Sequence, residues 1–324
     1  MSDPLLRVRD LEARFDYEGR TTPVVRGVSF DVRRGETVGL VGESGSGKSV
    51  TAFSLLRLLP SPPGRISGGA VLLDGADLLR MSERELRSVR GGRVAMVFQD
   101  PFTSLNPTMR VGDQLIEAIR AHTCLDRRAA KERSIQLLRL VHMPDPALRV
   151  QQFPHQLSGG QRQRVMIAMA FAMEPDLIIA DEPTTALDVT VQAQIVALMH
   201  EFRERTRAGV LLITHDLGLV AEMCDRVLVM YAGRIVESAG VRELFRSPRH
   251  PYTEGLLDSL PDAAATAAGP LRAIPGMPPD PAKLPPGCPF APRCPRAMPV
   301  CAESEPGETA NADGRLVRCH LYPC

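Results

Sequence analysis

The sequence has no excess of one charge: 39 Lys and Arg stand against 38 Asp and Glu, a formal net charge of +1. A nucleic-acid binder usually carries a basic surplus that neutralises phosphates, so nucleic acid is not an expected partner. The chain also lacks any hydrophobic run near the ~18 residues that cross a bilayer. Its opening, "MSDPLLRVRDLEARF", has neither the charged nor the apolar stretch of a secretory signal. The expectation is a protein of the cytoplasm, or one held at a membrane by a partner. No long heptad run suggests a coiled-coil arm. Cysteine is sparse until residue 288, with only Cys124 and Cys224 before it, and then becomes crowded. What remains is a chain of 324 residues, 44% apolar, enough for one large domain with an appendage or for two domains.

The strongest local signal is "VGLVGESGSGKSVTAFSLLRLL". Val38 to Val41 read as a short buried strand, Gly42 to Ser49 fit G-x-x-x-x-G-K-[ST], and Ser49 to Leu59 read as a helix. Strand, glycine loop and helix in this order are the context a phosphate-binding loop needs. The glycines let successive N–H groups face one phosphate chain, and the helix start adds its positive dipole end. Gly42, Ser44, Gly45, Ser46, Gly47, Lys48, Ser49 and Val50 are the candidate binding residues. Lys48 suits the β- and γ-phosphates, and the Ser49 hydroxyl suits Mg²⁺. Upstream, "VVRGVSFDVRRGETVGL" alternates apolar and polar residues, which predicts antiparallel strands beside the nucleotide core.

Much later, "DLIIADEPTTALD" runs an apolar strand, Leu177 to Ala180, into two adjacent acids. Carboxylates at the carboxyl end of a central strand lie where open α/β sheets bind nucleotides. Asp181 suits Mg²⁺ and Glu182 suits orienting an attacking water. Before it, "LSGGQRQRVMIAMAFA" predicts a helix to about Met173, with Ser158 as N-cap and Gln161 three residues on. Val165, Ile167, Ala168 and Phe171 read as its core face. Its N-terminus offers a second set of N–H groups to an anion.

In this order "GESGSGKS", "LSGGQ" and "LIIADEP" resemble the ATP-binding subunit of an ABC transporter, over roughly residues 5 to 260. The resemblance implies an α/β fold. Its parts are a P-loop ATPase with a RecA-like core, an antiparallel β subdomain and a helical subdomain at about residues 105–170. ATP and Mg²⁺ follow as cofactors. Two such subunits pair head to tail, so that Ser158, Gly159, Gly160, Gln161 and Asp188 would serve the partner's ATP. Gln99 in "VFQDP" matches the glutamine that senses Mg²⁺ and the membrane subunit, and His215 in "LLITHDL" matches the switch histidine on the γ-phosphate. Phe15 falls at the adenine-stacking aromatic, and Thr185 stands where serine is commoner. Glu182, His215 and Gln99 are the candidate catalytic residues, with Mg²⁺ held through Ser49, Gln99 and Asp181.

"FQDPFTSLNPTMRVGDQL", "SPRHPYTEGLLDSLP" and "IPGMPPD…GCPFAPRC" resemble the oligopeptide and dipeptide importers more closely. That resemblance implies a second, similar ATPase, two transmembrane permeases, an extracytoplasmic peptide-binding protein, and a place at the cytoplasmic face of the inner membrane. Importers of nickel, glutathione or another small solute are the rival within transport. A soluble ABC ATPase of translation or DNA repair is the rival outside it.

From about residue 261 the composition changes: "PDAAATAAGP" reads as a linker, and prolines recur through a C-terminal domain at 261–324. So small a piece calls for a staple. Cys288, Cys294, Cys301 and Cys319, spaced C-x5-C-x6-C-x17-C, could supply it. Four thiolates suit an iron–sulfur cluster. Zinc pairs usually stand closer together, yet His320 beside Cys319 keeps zinc open, and disulfides are a third alternative. The resemblance implies a [4Fe–4S] cluster, since some peptide importers hold one in this segment. Cys124, Cys224 and Cys324 read as buried or free thiols.

Overall fold

The computed structural model describes residues 3–185, 188–260, 274–310 and 314–323. The linker predicted from residue 261 and Cys324 lie largely or wholly outside them. The chain groups into two compact units, one of residues 1–5, 32–36 and 80–212, the other of 6–31, 37–79 and 213–324. The tail therefore belongs to the unit that carries the phosphate-binding loop.

That unit holds the predicted antiparallel sheet, in the order Arg20–Val32, Leu6–Tyr17, Gly64–Leu73, Ala76–Asp77. Leu6 faces Leu73 and Val8 faces Val71, and all four side chains are buried. A second set of strands runs Thr309–Ala310, Leu316–Val317, Arg234–Gly240, Arg226–Tyr231, Thr37–Val41. Thr37–Val41 lies parallel to Arg226–Tyr231 and is buried throughout, as a two-sided strand should be. Arg226–Tyr231 returns as Arg234–Gly240 through Ala232 and Gly233, both with positive φ (45° and 82°), the signature of a tight hairpin turn.

The tail joins these strands directly. Leu316–Val317 pairs antiparallel with Arg234–Gly240, Val317 facing Glu237. Glu237 is fully buried and accepts from Arg315 Nη2 (3.0 Å) and from the Arg249 and His250 amides (2.8 and 2.9 Å). Phe290 from the tail is buried among the rings of Tyr231, Tyr252 and His250. The tail is thus held by a shared core and a buried ion pair, and does not depend on its cysteines alone.

In the other unit Val94–Val97 and Leu177–Asp181 pair in parallel, Val97 opposite Ala180. Asp176 anchors this end, accepting from Arg34 (2.9 Å) and Arg93 (2.8 Å). Two helices lie in the stretch where the resemblance implies a helical subdomain: Val111–His122 buries Leu115, Ile116 and Ile119, and Arg127–Leu140 buries Ala130, Leu137 and Leu138. Gly159–Phe171 buries Val165, Ile167, Ala168 and Phe171, ending two residues before the predicted Met173. Phe171 stacks on Phe202 of Val189–Thr206 at 3.7 Å. No helix among the described residues is long and apolar enough to cross a membrane.

Candidate active site

Thr37–Val41 delivers the chain into Gly42, where only glycine fits. Its φ is +154°, and a Cβ would stand 2.2 Å from the Met230 carbonyl oxygen. At Gly47, with φ +107°, a Cβ would meet Met230 Cε and the Val24 carbonyl at 2.8 Å each. The helix predicted from Ser49 to Leu59 begins one residue earlier and runs Lys48–Leu55. Its start has no side-chain cap and no acid in the first turn, so its dipole end is left for an anion. Lys48 is buried, its Nζ donating to the Gly42 carbonyl (2.7 Å) and the Glu43 carbonyl (2.9 Å). The Ser46 hydroxyl is buried with no hydrogen-bond partner. A loop with an orphaned hydroxyl, an uncapped helix start and a curled backbone fits a polyphosphate. Ser44 and Gly45 are exposed, and Ser49 and Val50 are half-buried.

Glu43 is gripped from two sides. Its amide donates to Tyr252 Oη at 2.7 Å. Its carboxylate receives Arg293 Nη1 at 2.6 Å and Nη2 at 2.9 Å, a two-pronged ion pair. Neither Tyr252 nor Arg293 was a sequence candidate, although both lie in the segments that carry the peptide-importer resemblance. The local chemistry of "HPYT" explains how Tyr252 is set. His250 caps the helix Pro251–Asp258, its Nδ1 accepting from the Tyr252 amide at 3.0 Å, and Pro251 takes the first helical position. Burial lowers the His250 pKa to about 3, so the ring stays neutral and able to accept.

In the same unit, His215 is exposed between the strand end Thr214 and Asp216. Asp216 caps the next helix, accepting from the Gly218 and Leu219 amides. Phe15 is half-buried in Leu6–Tyr17, opposite Gly64. Tyr17, two residues on and so on the same strand face, is 67% exposed.

The other unit brings Gln99 and Glu182 together. Parallel register sets residue 97 opposite 180, and two residues further Gln99 Nε2 donates to Glu182 Oε2 at 2.9 Å. Thr185 Oγ1 donates to the same oxygen at 2.9 Å. Asp181 ends the strand, 2% exposed. The predicted cap at Ser158 forms in full: its Oγ accepts from the Gln161 amide, and Gln161 Oε1 accepts from the Ser158 amide. Gly160 packs against Val191, where a Cβ would meet Cγ1 at 2.9 Å. At Gly159 a Cβ would meet nothing within 4 Å, so packing inside the chain does not explain that glycine. Asp188 caps Val189–Thr206 by accepting from the Val191 amide. A groove of about 710 Å³ lies on this unit, lined by Met109, Arg110, Asp113, Glu117, Arg120 and Phe153 among others.

Cys301 lies within electrostatic reach of Cys288, Cys294 and Cys319, and Cys319 also reaches Cys288 and Cys294. Burial first, then the facing thiols, raises Cys288 to about 11. Burial also raises Cys294 and Cys319, with Cys301 adding to both. All four are free, so the disulfide alternative is not realised. Among the described residues no three His, Cys, Asp or Glu side chains are arranged to hold a metal ion. On this point neither the cluster nor zinc is borne out, and His320 sets Nε2 2.9 Å from the Ser304 carbonyl. Cys224 is a buried core thiol and Cys124 is exposed, as expected.

Residues 25–185 match the ABC transporter family, and residues 236–301 match the oligopeptide/dipeptide transporter C-terminal region. The dipeptide transport ATP-binding protein DppD of Bacillus subtilis is 50% identical over 98% of this chain and 95% of its own length. The oligopeptide transport ATP-binding protein OppD of Salmonella typhimurium is 50% identical over 97% of this chain and 93% of its own. Among solved structures, a dimeric ATP-binding cassette in a post-hydrolysis state, bound to ADP and Pi, shares the fold. Its TM-score is 0.65 at 24% identity, covering 73% of this chain and 99% of that one. The cbiO1 protein from Clostridium perfringens, part of an ABC transporter complex, gives a TM-score of 0.63 at 27% identity, over 76% and 92%.

Proposed function

This chain belongs to the ABC transporter ATP-binding proteins of the oligopeptide/dipeptide type, and we propose that it is the ATP-hydrolysing subunit powering import of di- or oligopeptides. The observation that carries the reading is the phosphate loop locked to the peptide-importer tail, Glu43 to Tyr252 and Arg293, in one unit. Lys48 and the loop amides hold the phosphates. Ser49, Gln99 and Asp181 are the residues that would hold Mg²⁺, which supplies charge neutralisation at the transferring phosphoryl group. Glu182 orients the attacking water, and its hydrogen bond to Gln99 lets a change at that glutamine reach the acid. His215 reads the γ-phosphate, and Phe15 stacks on adenine.

The partners are a second, homologous ATPase, two permeases and an extracytoplasmic peptide-binding protein, with the chain peripheral at the cytoplasmic face of the inner membrane. Gly159, a glycine with open space where a Cβ would stand, suits close approach of the partner's phosphates to the Ser158–Gln161 turn. Val189, 84% exposed beside Asp188, suits the same contact. The groove around Arg110, Asp113 and Arg120 suits a permease helix carrying charges of both signs. ATP joins the two subunits and hydrolysis releases them, a ligand-driven shift of populations.

Reconstituted with those partners in proteoliposomes, the chain is expected to drive ATP-dependent uptake of labelled di- or oligopeptides. Uptake of nickel or glutathione in their place would move the assignment to another solute. Co-purification with ribosomes or DNA and without permeases would overturn it.

The finer reading of the tail is a [4Fe–4S] cluster held by Cys288, Cys294, Cys301 and Cys319. Four thiols crowded into one small segment, none paired as a disulfide, support it. Burial raises the thiols of Cys288, Cys294 and Cys319, so these thiolates need a cationic group to form at neutral pH. Bound there, the cluster would cross-link the tail. Purified without oxygen, the protein is expected to be brown, with about four irons and four sulfides per chain. Zinc alone, or neither metal in folded protein, would overturn the cluster and leave the ATPase unchanged.

A further inference from the structure

We propose that Arg293 and Tyr252 are positioning residues for ATP binding, through which the C-terminal module neutralises and fixes the phosphate-binding loop at Glu43. The loop poses an electrostatic problem. Glu43 follows Gly42 directly in a loop whose task is to receive a polyanion. An unpaired carboxylate there would repel the phosphates through a poorly screened path. Arg293 covers both its oxygens.

The guanidinium is itself held. Its Nε donates to the Pro275 carbonyl at 2.9 Å and its Nη1 reaches Tyr231 Oη at 3.3 Å, leaving the side chain 5% exposed. The fork geometry, which lysine cannot copy, fixes orientation as well as charge. Tyr252 is fully buried, its ring set by Tyr231 at 4.5 Å and Phe290 at 5.5 Å, and its hydroxyl takes the Glu43 amide.

What is fixed at Glu43 is passed to Lys48. The ammonium hangs from the carbonyls of Gly42 and Glu43, the two residues that the tail steadies. A loop held this way has less conformational entropy to lose when nucleotide arrives. Glu43 and Arg293 are 250 positions apart, and Arg293 adjoins Cys294, so the tail's contribution enters the ATP loop at one defined point.

The full-length chain offers a test whose outcome does not depend on folding alone. Arg293→Met should weaken ATP binding about ten-fold, seen as a rise in Kd and KM, with kcat within about two-fold. Glu43→Gln should bind ATP at least as well as wild type. The double variant should recover most of the loss, because no charge is left to repel phosphate. Glu305→Gln breaks a different tail anchor, to Arg26 at 2.9 Å, and should leave ATP affinity unchanged. Amide exchange at residues 42–49 should quicken in Arg293→Met and not in Glu305→Gln. If Arg293→Met does not fold, Arg293→Lys carries the same comparison with a loss of about three-fold. Equal losses in Glu305→Gln, or a double variant no better than Arg293→Met or Arg293→Lys alone, would reduce Arg293 to a fold-holding role. Wild-type affinity in the Arg293 variant would overturn the proposal outright.

Discussion

In the assembled transporter, the Glu182→Gln chain is expected to bind ATP near normally and hydrolyse it about a hundred-fold more slowly, or slower still. The substitution keeps the size and shape of the side chain. Gln99 Nε2 and Thr185 Oγ1 both donate to Glu182 Oε2 at 2.9 Å, and an amide oxygen can accept both. The local packing should therefore survive, including the φ of +46° at residue 182, which any non-glycine side chain strains alike. What is lost is the negative charge that orients and polarises a water. Phosphate release at saturating ATP, measured beside equilibrium ATP binding, separates the two effects. Normal turnover would remove Glu182 from the chemistry. Lost binding would make it a structural residue of the strand end.

Lys48→Ala is expected to act one step earlier, weakening ATP binding by about a hundred-fold or more. Lys48 Nζ is the one charged group seen reaching into the loop from its own helix, and it is buried. Removing it takes a positive charge from the phosphates and a donor from the Gly42 and Glu43 carbonyls. The second loss costs about 1–3 kcal/mol if water does not replace the donor. A melting curve measures that part, and titration with a fluorescent ATP analogue measures the binding. An affinity within a few-fold of wild type would mean that the loop amides and helix dipole suffice.

The contrast between these variants and Arg293→Met follows from distance along the chain. Lys48 and Glu182 lie in motifs whose parts are neighbours in sequence. Arg293 acts from the tail, and its expected effect falls on affinity without touching the chemical step.

The sequence by itself determined the features set by local geometry. A loop that needs glycine at residues 42 and 47, a capping box from Ser158 to Gln161, and the core face of the helix that follows it all depend on residues within a few turns of each other. Only the tertiary structure decided which distant residues meet. Gln99 reaches Glu182 because two strands pair in parallel at a fixed register, and nothing local to either motif encodes that register. The spacing of the four cysteines showed that they crowd one segment. Spacing could not show whether three of them surround one point, and among the described residues no three side chains do so. The tail read as too small for a core of its own. It gains one by adding a strand beside Arg234–Gly240 and burying Phe290 with Tyr231 and Tyr252. The same docking brings Arg293 onto Glu43. A charge pair spanning 250 positions leaves no periodicity or spacing in the sequence, because the chain's path between its ends is settled by packing.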